Sequence, residues 1–390
     1  VSAALAQTTL SDIPLFSATN VPANLMLALS VEFPTGTVAA YTDNKIPLVF
    51  TDSSGNIQIQ ACGGHVGGYG VCYFPAMHYL GYFDYAKCYD YDSTKKYFVP
   101  FGSRPSGTNP TPPDCTGHWS GNMLNWASMT ALDEFRQTLT GGYRVIDQAG
   151  LTVLQRSRQT AQGSASNCPS KHLDATDNVN PSSVVGDSTF NAATDIFIRS
   201  HNGSTELIDG SGNRGVFIEV ADNAGFVNDP SNGSNDVLYY ARAQVCVPGL
   251  LEPNCNSAHA AKDYPGAGTY DKPEGLIQQN YQRIRVGATG YLYAFGEGHP
   301  NGVLRALLHD NGPTTYNGFG ARQPNTSTSN PGGEEEWDPS SGIFTANPDP
   351  TSASASSVSL SGAINYLNQF GLNEPGYETQ DTLAELYWAT

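Results

Sequence analysis

A short apolar segment near the beginning of the chain constrains the fold more than any other feature of its 390 residues. Residues 24–29 read Asn-Leu-Met-Leu-Ala-Leu and follow Pro22. A continuous apolar run of this kind is typical of a strand that is buried on both faces of a mostly parallel sheet. Because helices cover the faces of such sheets, the segment predicts an α/β fold.

An amphipathic segment over residues 120–140 predicts the clearest helix of the chain. Ser120 can cap its first turn, and the glycine pair at 141–142 provides a left-handed stop. Further core strands are predicted at 284–295 and 302–309, where apolar residues cluster again. The apolar positions of the helix recur at three- or four-residue intervals and are Leu124, Ala127, Ala131, Leu132, Phe135 and Leu139.

Three stretches between these core elements lack the helical period, and we interpret them as insertions. Residues 40–118 are rich in tyrosine and glycine, residues 158–283 contain β-forming segments between turn residues, and residues 310–358 are rich in Asn, Ser, Pro and Gly. A helix capped by Ser361 is predicted after the third stretch. The β-forming segments in the middle of the chain are 151–157, 194–200, 215–221 and 237–247.

The composition limits the classes of partner. The formal net charge is −17, and a negative field of this size repels nucleic-acid phosphates and anionic lipid headgroups. Charged residues make up only 14% of the chain, and 41 glycines and 25 prolines indicate many loops. The composition therefore excludes a nucleic-acid-binding protein and favours an exported, loop-rich one. No apolar run is long enough to predict a transmembrane segment.

Residues 1–6 are predicted to be the remnant of a secretory signal peptide. Ala4-Leu-Ala6 has the small-x-small form that signal peptidase accepts, so Gln7 would be the first mature residue.

Seven cysteines without Cys-x-x-Cys spacing disfavour a zinc ribbon. Neighbouring cysteines that bracket short loops are typical of disulfides formed in an oxidising compartment. Cys168 is then left over, either as a free thiol or for a partner outside the chain. The predicted pairs are Cys62–Cys72, Cys246–Cys255 and Cys88–Cys115.

Seven blocks of the sequence together resemble one family. They include YLGYFDYAKCYDYD at 79–92, WSGNMLNWASMTALDEFRQTLTGG at 119–142 and VCVPGLLEPNC at 245–255. In order and spacing they resemble the N-terminal half of the PilC and PilY type IV pilus biogenesis and tip-adhesin proteins. The resemblance implies a von Willebrand factor A-like domain over residues 7–390, incomplete at its C-terminal end, and a calcium-binding β-propeller after it. The other blocks are 14–36, 272–278, 290–308 and 362–388.

The resemblance also implies where a divalent cation would bind. A von Willebrand factor A domain uses Asp-x-Ser-x-Ser after its first strand and a Thr from a second loop. Here the corresponding residues are Ser30, Glu32, Pro34 and Thr382, so the acidic ligand and both serines are missing. We expect no metal there, because a hard cation needs charged oxygen ligands. Thr382 stands three residues before Glu385, which favours a helix-capping role.

Two acidic segments are weaker candidates. Asp209, Ser211 and Asn213 alternate with glycine and could hold calcium, although an ordinary hairpin turn explains the pattern better. We interpret the three glutamates at 334–336 as a solvated charge run.

A cluster of eight tyrosines allows two interpretations. The rings could form a binding surface for a glycan or a protein, since tyrosine offers contact area at a low entropy cost. They could also form the core of a helix-poor insertion, which we favour. The tyrosines are Tyr69, Tyr73, Tyr79, Tyr82, Tyr85, Tyr89, Tyr91 and Tyr97.

The sequence contains no nucleophile elbow, His-Glu-x-x-His motif or P-loop, so we predict a non-enzymatic protein with no cofactor. The resemblance implies an adhesion and assembly function at the tip of a type IV pilus, at the cell surface. Its partners would be minor pilins and a host or surface receptor. The alternative is a secreted, calcium-dependent carbohydrate-active protein, either a binder or a hydrolase.

Overall fold

The structure is a computed structural model. It describes residues 23–29, 41, 48–51, 57–60, 73–103, 105, 110–157, 171–174, 179–199, 216–222, 236–256, 270–281, 283–292, 301–312, 314–316, 322–324, 335–338, 340–355, 360–369, 386–387 and 390.

The described residues form many short strands and few helices. The strands are β1 Ala23–Leu29, β2 Leu48–Thr51, β3 Ile57–Gln60, β4 Cys88–Asp92, β5 Tyr97–Phe101, β6 Trp119–Ser120, β7 Arg144–Gln148, β8 Leu151–Gln155, β9 Lys171–Asp174, β10 Asp195–Arg199, β11 Phe217–Ala221, β12 Asp236–Tyr240, β13 Arg242–Val245, β14 Cys255–Asn256, β15 Lys272–Pro273, β16 Ile284–Leu292, β17 Asn301–His309, β18 Thr314–Tyr316 and β19 Arg322–Pro324. The helices are α1 Gly121–Ser128, α2 Ala131–Thr140, α3 Leu276–Asn280, α4 Pro350–Ala355 and α5 Ala363–Gln369, with 3₁₀ turns at Pro181–Ser183 and Ser188–Phe190.

These strands assemble into several sheets. The largest has six strands in the order β6-β4-β5-β13-β8-β7, and the next has four in the order β12-β11-β10-β9. A three-stranded sheet has the order β1-β16-β17, with β1 parallel and β17 antiparallel to β16. The remaining described strands form two-stranded ribbons. The protein therefore contains both strands and helices, and the predicted α/β class is confirmed at this coarse level.

The three-stranded sheet packs on an aliphatic core, which we define by Leu29, Val286, Ala288, Ile364 and Leu367. The strands predicted at 24–29, 284–295 and 302–309 are confirmed. One detail differs from the prediction. In the described part of the sheet β1 lies at an edge, and Leu29 is the only one of its residues that is buried. The prediction of a strand buried on both faces is therefore wrong for β1, in which Leu25 is 39% exposed.

The two larger sheets enclose an aromatic core, which we define by Tyr79, Tyr89, Phe98, Trp119 and Trp126. Their strands belong mostly to the stretches interpreted as insertions. Helix α1 is buried at every position within this core. The predicted β-forming segment at 237–247 is two strands, β12 and β13, in different sheets.

The helix predicted over 120–140 is two helices. Ser120 caps α1 as expected, because its side chain accepts a hydrogen bond from the backbone N–H of Met123. The helix ends before Met129, which is extended, and Thr130 caps α2. Thr130 and Asp133 form a reciprocal capping box, with both bonds 3.2 Å long. This cap competes with continuation of α1 and breaks the predicted helix. Gly141 ends α2 with φ +80°, as predicted.

Candidate interaction cleft

A cleft of about 480 Å³ opens between the β4–β5 hairpin, the 3₁₀ turn at Ser188–Phe190 and strand β12. Aromatic rings of Tyr91, Trp119 and Tyr239 contribute to its lining. Trp119 and Tyr239 meet edge-to-face with centroids 4.7 Å apart, and Tyr91 meets Tyr239 in the same way at 5.0 Å. Edge-to-face contacts fix the rings relative to one another, so the lining is preorganised.

Asp187 lies at the wall of this cleft and caps the 3₁₀ turn. Its carboxylate accepts a hydrogen bond from the backbone N–H of Thr189 at 2.8 Å and another from the Tyr239 hydroxyl. Partial burial tends to raise the pKa of Asp187, but these hydrogen bonds outweigh burial and leave the pKa below its usual value. Burial and the neighbouring carboxylate raise the pKa of Tyr239. The Asp187 carboxylate is therefore ionised, and it accepts a hydrogen bond from the neutral phenol of Tyr239.

Asp90 provides a second carboxylate in the lining. Its Oδ1 lies 2.7 Å from Nδ1 of His118, and the His118 ring stacks on Phe101 with centroids 3.7 Å apart. The Asp90 side chain is 52% exposed. The cleft thus carries one partly buried carboxylate, Asp187, and one exposed carboxylate, Asp90. The described lining contains no lysine, arginine or histidine.

The tyrosine cluster packs as core in the described residues. Tyr73, Tyr79, Tyr82, Tyr89 and Tyr97 are buried, so these rings cannot form an exposed binding surface, and that interpretation is corrected for them. Their burial follows from packing around α1, whose two asparagines bind the backbone of the 75–83 loop. Tyr85 and Tyr91 are half-buried, and Tyr69 lies outside the described residues.

The disulfides Cys88–Cys115 and Cys246–Cys255 are confirmed, with Cα atoms 5.5 Å apart in each. The predicted partners Cys62 and Cys72, and the leftover Cys168, lie outside the described residues.

Glu252 lies beside the second disulfide, and the three side chains together have the spacing of a metal site. The three side chains cannot bind a metal together, because the sulfurs of Cys246 and Cys255 are joined in a disulfide. Glu252 instead accepts hydrogen bonds from the Cys246 backbone and, at 2.5 Å, from the ammonium of Lys87. This is a buried structural ion pair.

The predicted cation positions fall outside the part of the chain that the structure describes. They are Ser30, Glu32, Pro34 and Thr382, and the calcium candidates Asp209, Ser211 and Asn213.

Glu336 corrects the interpretation of 334–336 as a solvated run, because it is only 1% exposed. Its carboxylate accepts hydrogen bonds from the backbone N–H groups of Ala363 at 2.8 Å and Ile364 at 2.5 Å. It also accepts one from Asn311 at 2.7 Å and lies 3.2 Å from the His309 ring. Glu336 therefore caps α5, the role predicted for Ser361. Ser361 instead bonds to Asn347.

No described helix has the length and hydropathy needed to cross a membrane.

Comparison with known proteins relates the chain to pilus proteins. Residues 70–209 match the family described as "PilY1 homolog, small alpha/beta domain". The chain is 32% identical over 413 aligned residues to a type IV pilus biogenesis factor PilY1 homolog of Xylella fastidiosa strain Temecula1. That alignment covers 97% of this chain and 28% of the relative. A second PilY1 homolog of that strain is 33% identical over 79 residues, 20% of this chain and 5% of the relative. No solved structure matches the chain.

Proposed function

The chain belongs to the family of PilY1-type type IV pilus biogenesis factors, and on this premise we propose that it is a non-enzymatic adhesion and assembly protein at the pilus tip. The observation that carries the proposal is the similarity to a named pilus biogenesis factor along 97% of the chain. The chain spans little more than a quarter of the length of that relative. Location at the pilus tip and adhesion are therefore proposals for this chain.

The partners in this proposal are minor pilins and a host or surface receptor. Export to the cell surface is supported by two disulfides, which persist in oxidising compartments. A binding role is supported by the sequence, where no recognised arrangement of nucleophile, base and orienting residue occurs.

A von Willebrand factor A-like core is part of the same proposal. Its support is the three-stranded sheet, in which β1 and β16 run parallel and β17 returns antiparallel beside β16. Residues from α2, α3 and α5 pack on the buried side chains of this sheet. Ser30 and Glu32 replace the expected cation ligands, so we expect Mg²⁺ to leave thermal stability unchanged.

The experiment is deletion of the gene and complementation with the full-length protein. We expect deletion to reduce surface piliation or adhesion and complementation to restore both. Normal pilus number together with normal adhesion in the deletion strain would contradict the proposal. Turnover of a polysaccharide by the purified protein, with calcium added, would replace it with the carbohydrate-active alternative.

A further inference from the structure

We propose that the cleft between the β4–β5 hairpin, Asp187 and strand β12 is a binding site for a cationic side chain, an ammonium or guanidinium group presented by a partner protein. The inference goes beyond the proposed function and does not depend on adhesion or on the pilus tip. It rests on the chemistry of the lining, on its rigidity and on the exposure of its groups.

The charge of the lining selects the ligand. Asp90 and Asp187 both border the cleft, no lysine or arginine is among the residues that line it, and His118 contacts Asp90 at one oxygen, Oδ1. Asp187 is partly buried beside the ring of Tyr239, and a lower local dielectric strengthens attraction to a cation. The net charge of −17 adds a long-range field of the same sign, which increases the rate of encounter with a basic partner.

The carboxylates retain the capacity to bind. Each carboxylate oxygen can accept two hydrogen bonds, and Asp187 accepts from the backbone and side chain of Thr189 and from the Tyr239 hydroxyl. These bonds hold its orientation before a ligand arrives, which lowers the ordering cost of binding. The solvent-side position of Asp90 leaves a path for a side chain to enter from outside.

The buried state of the rings argues against a saccharide. A sugar is recognised by stacking on an exposed aromatic face together with hydrogen bonds. Trp119 is 1% exposed and Tyr239 is 3% exposed, so neither offers a free face. The buried rings serve as an apolar boundary, and the polar groups that a ligand can reach are the two carboxylates and the hydroxyls of Ser93 and Ser188.

The test uses two short peptides that differ only in charge, acetyl-Gly-Arg-Gly-amide and the same peptide with citrulline in place of arginine. Binding to the purified protein is followed by titration calorimetry at low and high salt. We expect saturable binding of the arginine peptide that weakens with salt, and none of the citrulline peptide. A mixture of free saccharides is titrated as the third ligand, to test whether the cleft binds a sugar instead.

The variants provide a matched pair. Asp90→Asn should weaken the arginine peptide about tenfold, the effect of one lost charge contact. Asp195→Asn is the control, because Asp195 also pairs with a histidine, at 3.0 Å from His172, and its side chain is 47% exposed. The exposed Ser188 provides an independent variant, since Ser188→Arg places a tethered cation at the cleft and should abolish binding.

Thermal unfolding confirms that each variant is folded before titration. Absence of binding to the folded wild-type protein would overturn the inference. Equal losses in Asp90→Asn and Asp195→Asn, unchanged binding in Ser188→Arg, equal binding of the citrulline peptide, or binding of a saccharide instead would also overturn it.

Discussion

The aromatic core and the aliphatic core of this chain are stabilised in different ways. Around the aromatic core, the two larger sheets enclose large rings together with a loop, residues 73–87, that has no helix or strand. Buried asparagines bind backbone groups of this loop, and both described disulfides lie in this region. Around the aliphatic core, a small sheet packs with helices α2, α3 and α5, and the Glu336 carboxylate caps the start of α5. A loop without regular structure thus requires side chains to replace the missing ladder hydrogen bonds.

The sharpest test of this difference is Asn125→Ala in the aromatic core. The Asn125 amide donates to the carbonyl of Tyr79 at 2.8 Å and of Phe83 at 2.7 Å, and its oxygen accepts from the N–H of Phe83 at 3.1 Å. Three buried backbone groups would lose their partner, so we expect a loss of about 4 kcal/mol in the free energy of unfolding. Urea denaturation measures it. The exposed Asn191→Ala is the control, and similar losses in both variants would contradict the comparison.

Removal of the disulfides should give the next largest effect. The chain-entropy relation gives about 3.5 kcal/mol for Cys88–Cys115, whose cysteines are 27 residues apart, and about 2.5 kcal/mol for Cys246–Cys255, at a separation of 9. Serine replacements of each pair, compared by thermal and urea unfolding, test the order. The reverse order would show that the shorter loop is stabilised by more than closure entropy.

Glu336→Ala tests the aliphatic core in the same way. It leaves the N–H groups of Ala363 and Ile364 and the amide of Asn311 without their acceptor, so we expect a loss of about 3 kcal/mol. Glu335→Ala provides the control from the adjacent position, with an expected change of about 0.5 kcal/mol or less. If the two variants unfold at the same urea concentration, the cap does not stabilise α5.

The smallest effect concerns the four-stranded sheet that borders the aromatic core. Burial and the neighbouring Glu219 together raise the pKa of Asp236 to about 7, against the attraction of Arg199. The folded state then keeps a proton that the unfolded state releases near pH 4, so this group destabilises the fold as pH rises from about 4 to about 7. Asp236→Asn should remove this slope and stabilise the protein at pH 8 by about 1 kcal/mol, since solvent screens a partly exposed carboxyl. Unfolding midpoints at pH 5 and pH 8 measure it, and an unchanged slope would contradict the assignment.

Sequence patterns predicted the elements whose signals are local. The strands of the three-stranded sheet, the Ser120 cap and the Gly141 stop were confirmed because periodicity and capping involve residues a few positions apart. The break at Thr130 was also visible in the sequence as Thr-x-x-Asp, but the apolar spacing continued through it and favoured one helix. Two disulfides followed from loop lengths alone.

Sequence patterns did not predict features made by distant residues. Glu336 is one of three consecutive glutamates in the sequence, and its role becomes clear only when the start of α5 is placed over it. The cleft joins Asp90, Asp187 and Tyr239 from three separate segments, and no pair of them forms a motif in the sequence. The core interpretation is confirmed for the tyrosines that are buried, but their pattern in the sequence could not show that they pack around helix α1.

The position of β5 in the six-stranded sheet determines the order in which this sheet can fold. One edge of β5 pairs with β4, its neighbour along the chain, whereas the other pairs in parallel with β13, where Phe98 lies opposite Ala243. The hairpin can form from local contacts, but the second pairing must first close a very long loop, which makes it a slow step. Until β13 arrives, β5 is an open edge that can pair with other chains. In the interval between the two pairing events, the open edge of β5 therefore makes the chain susceptible to aggregation.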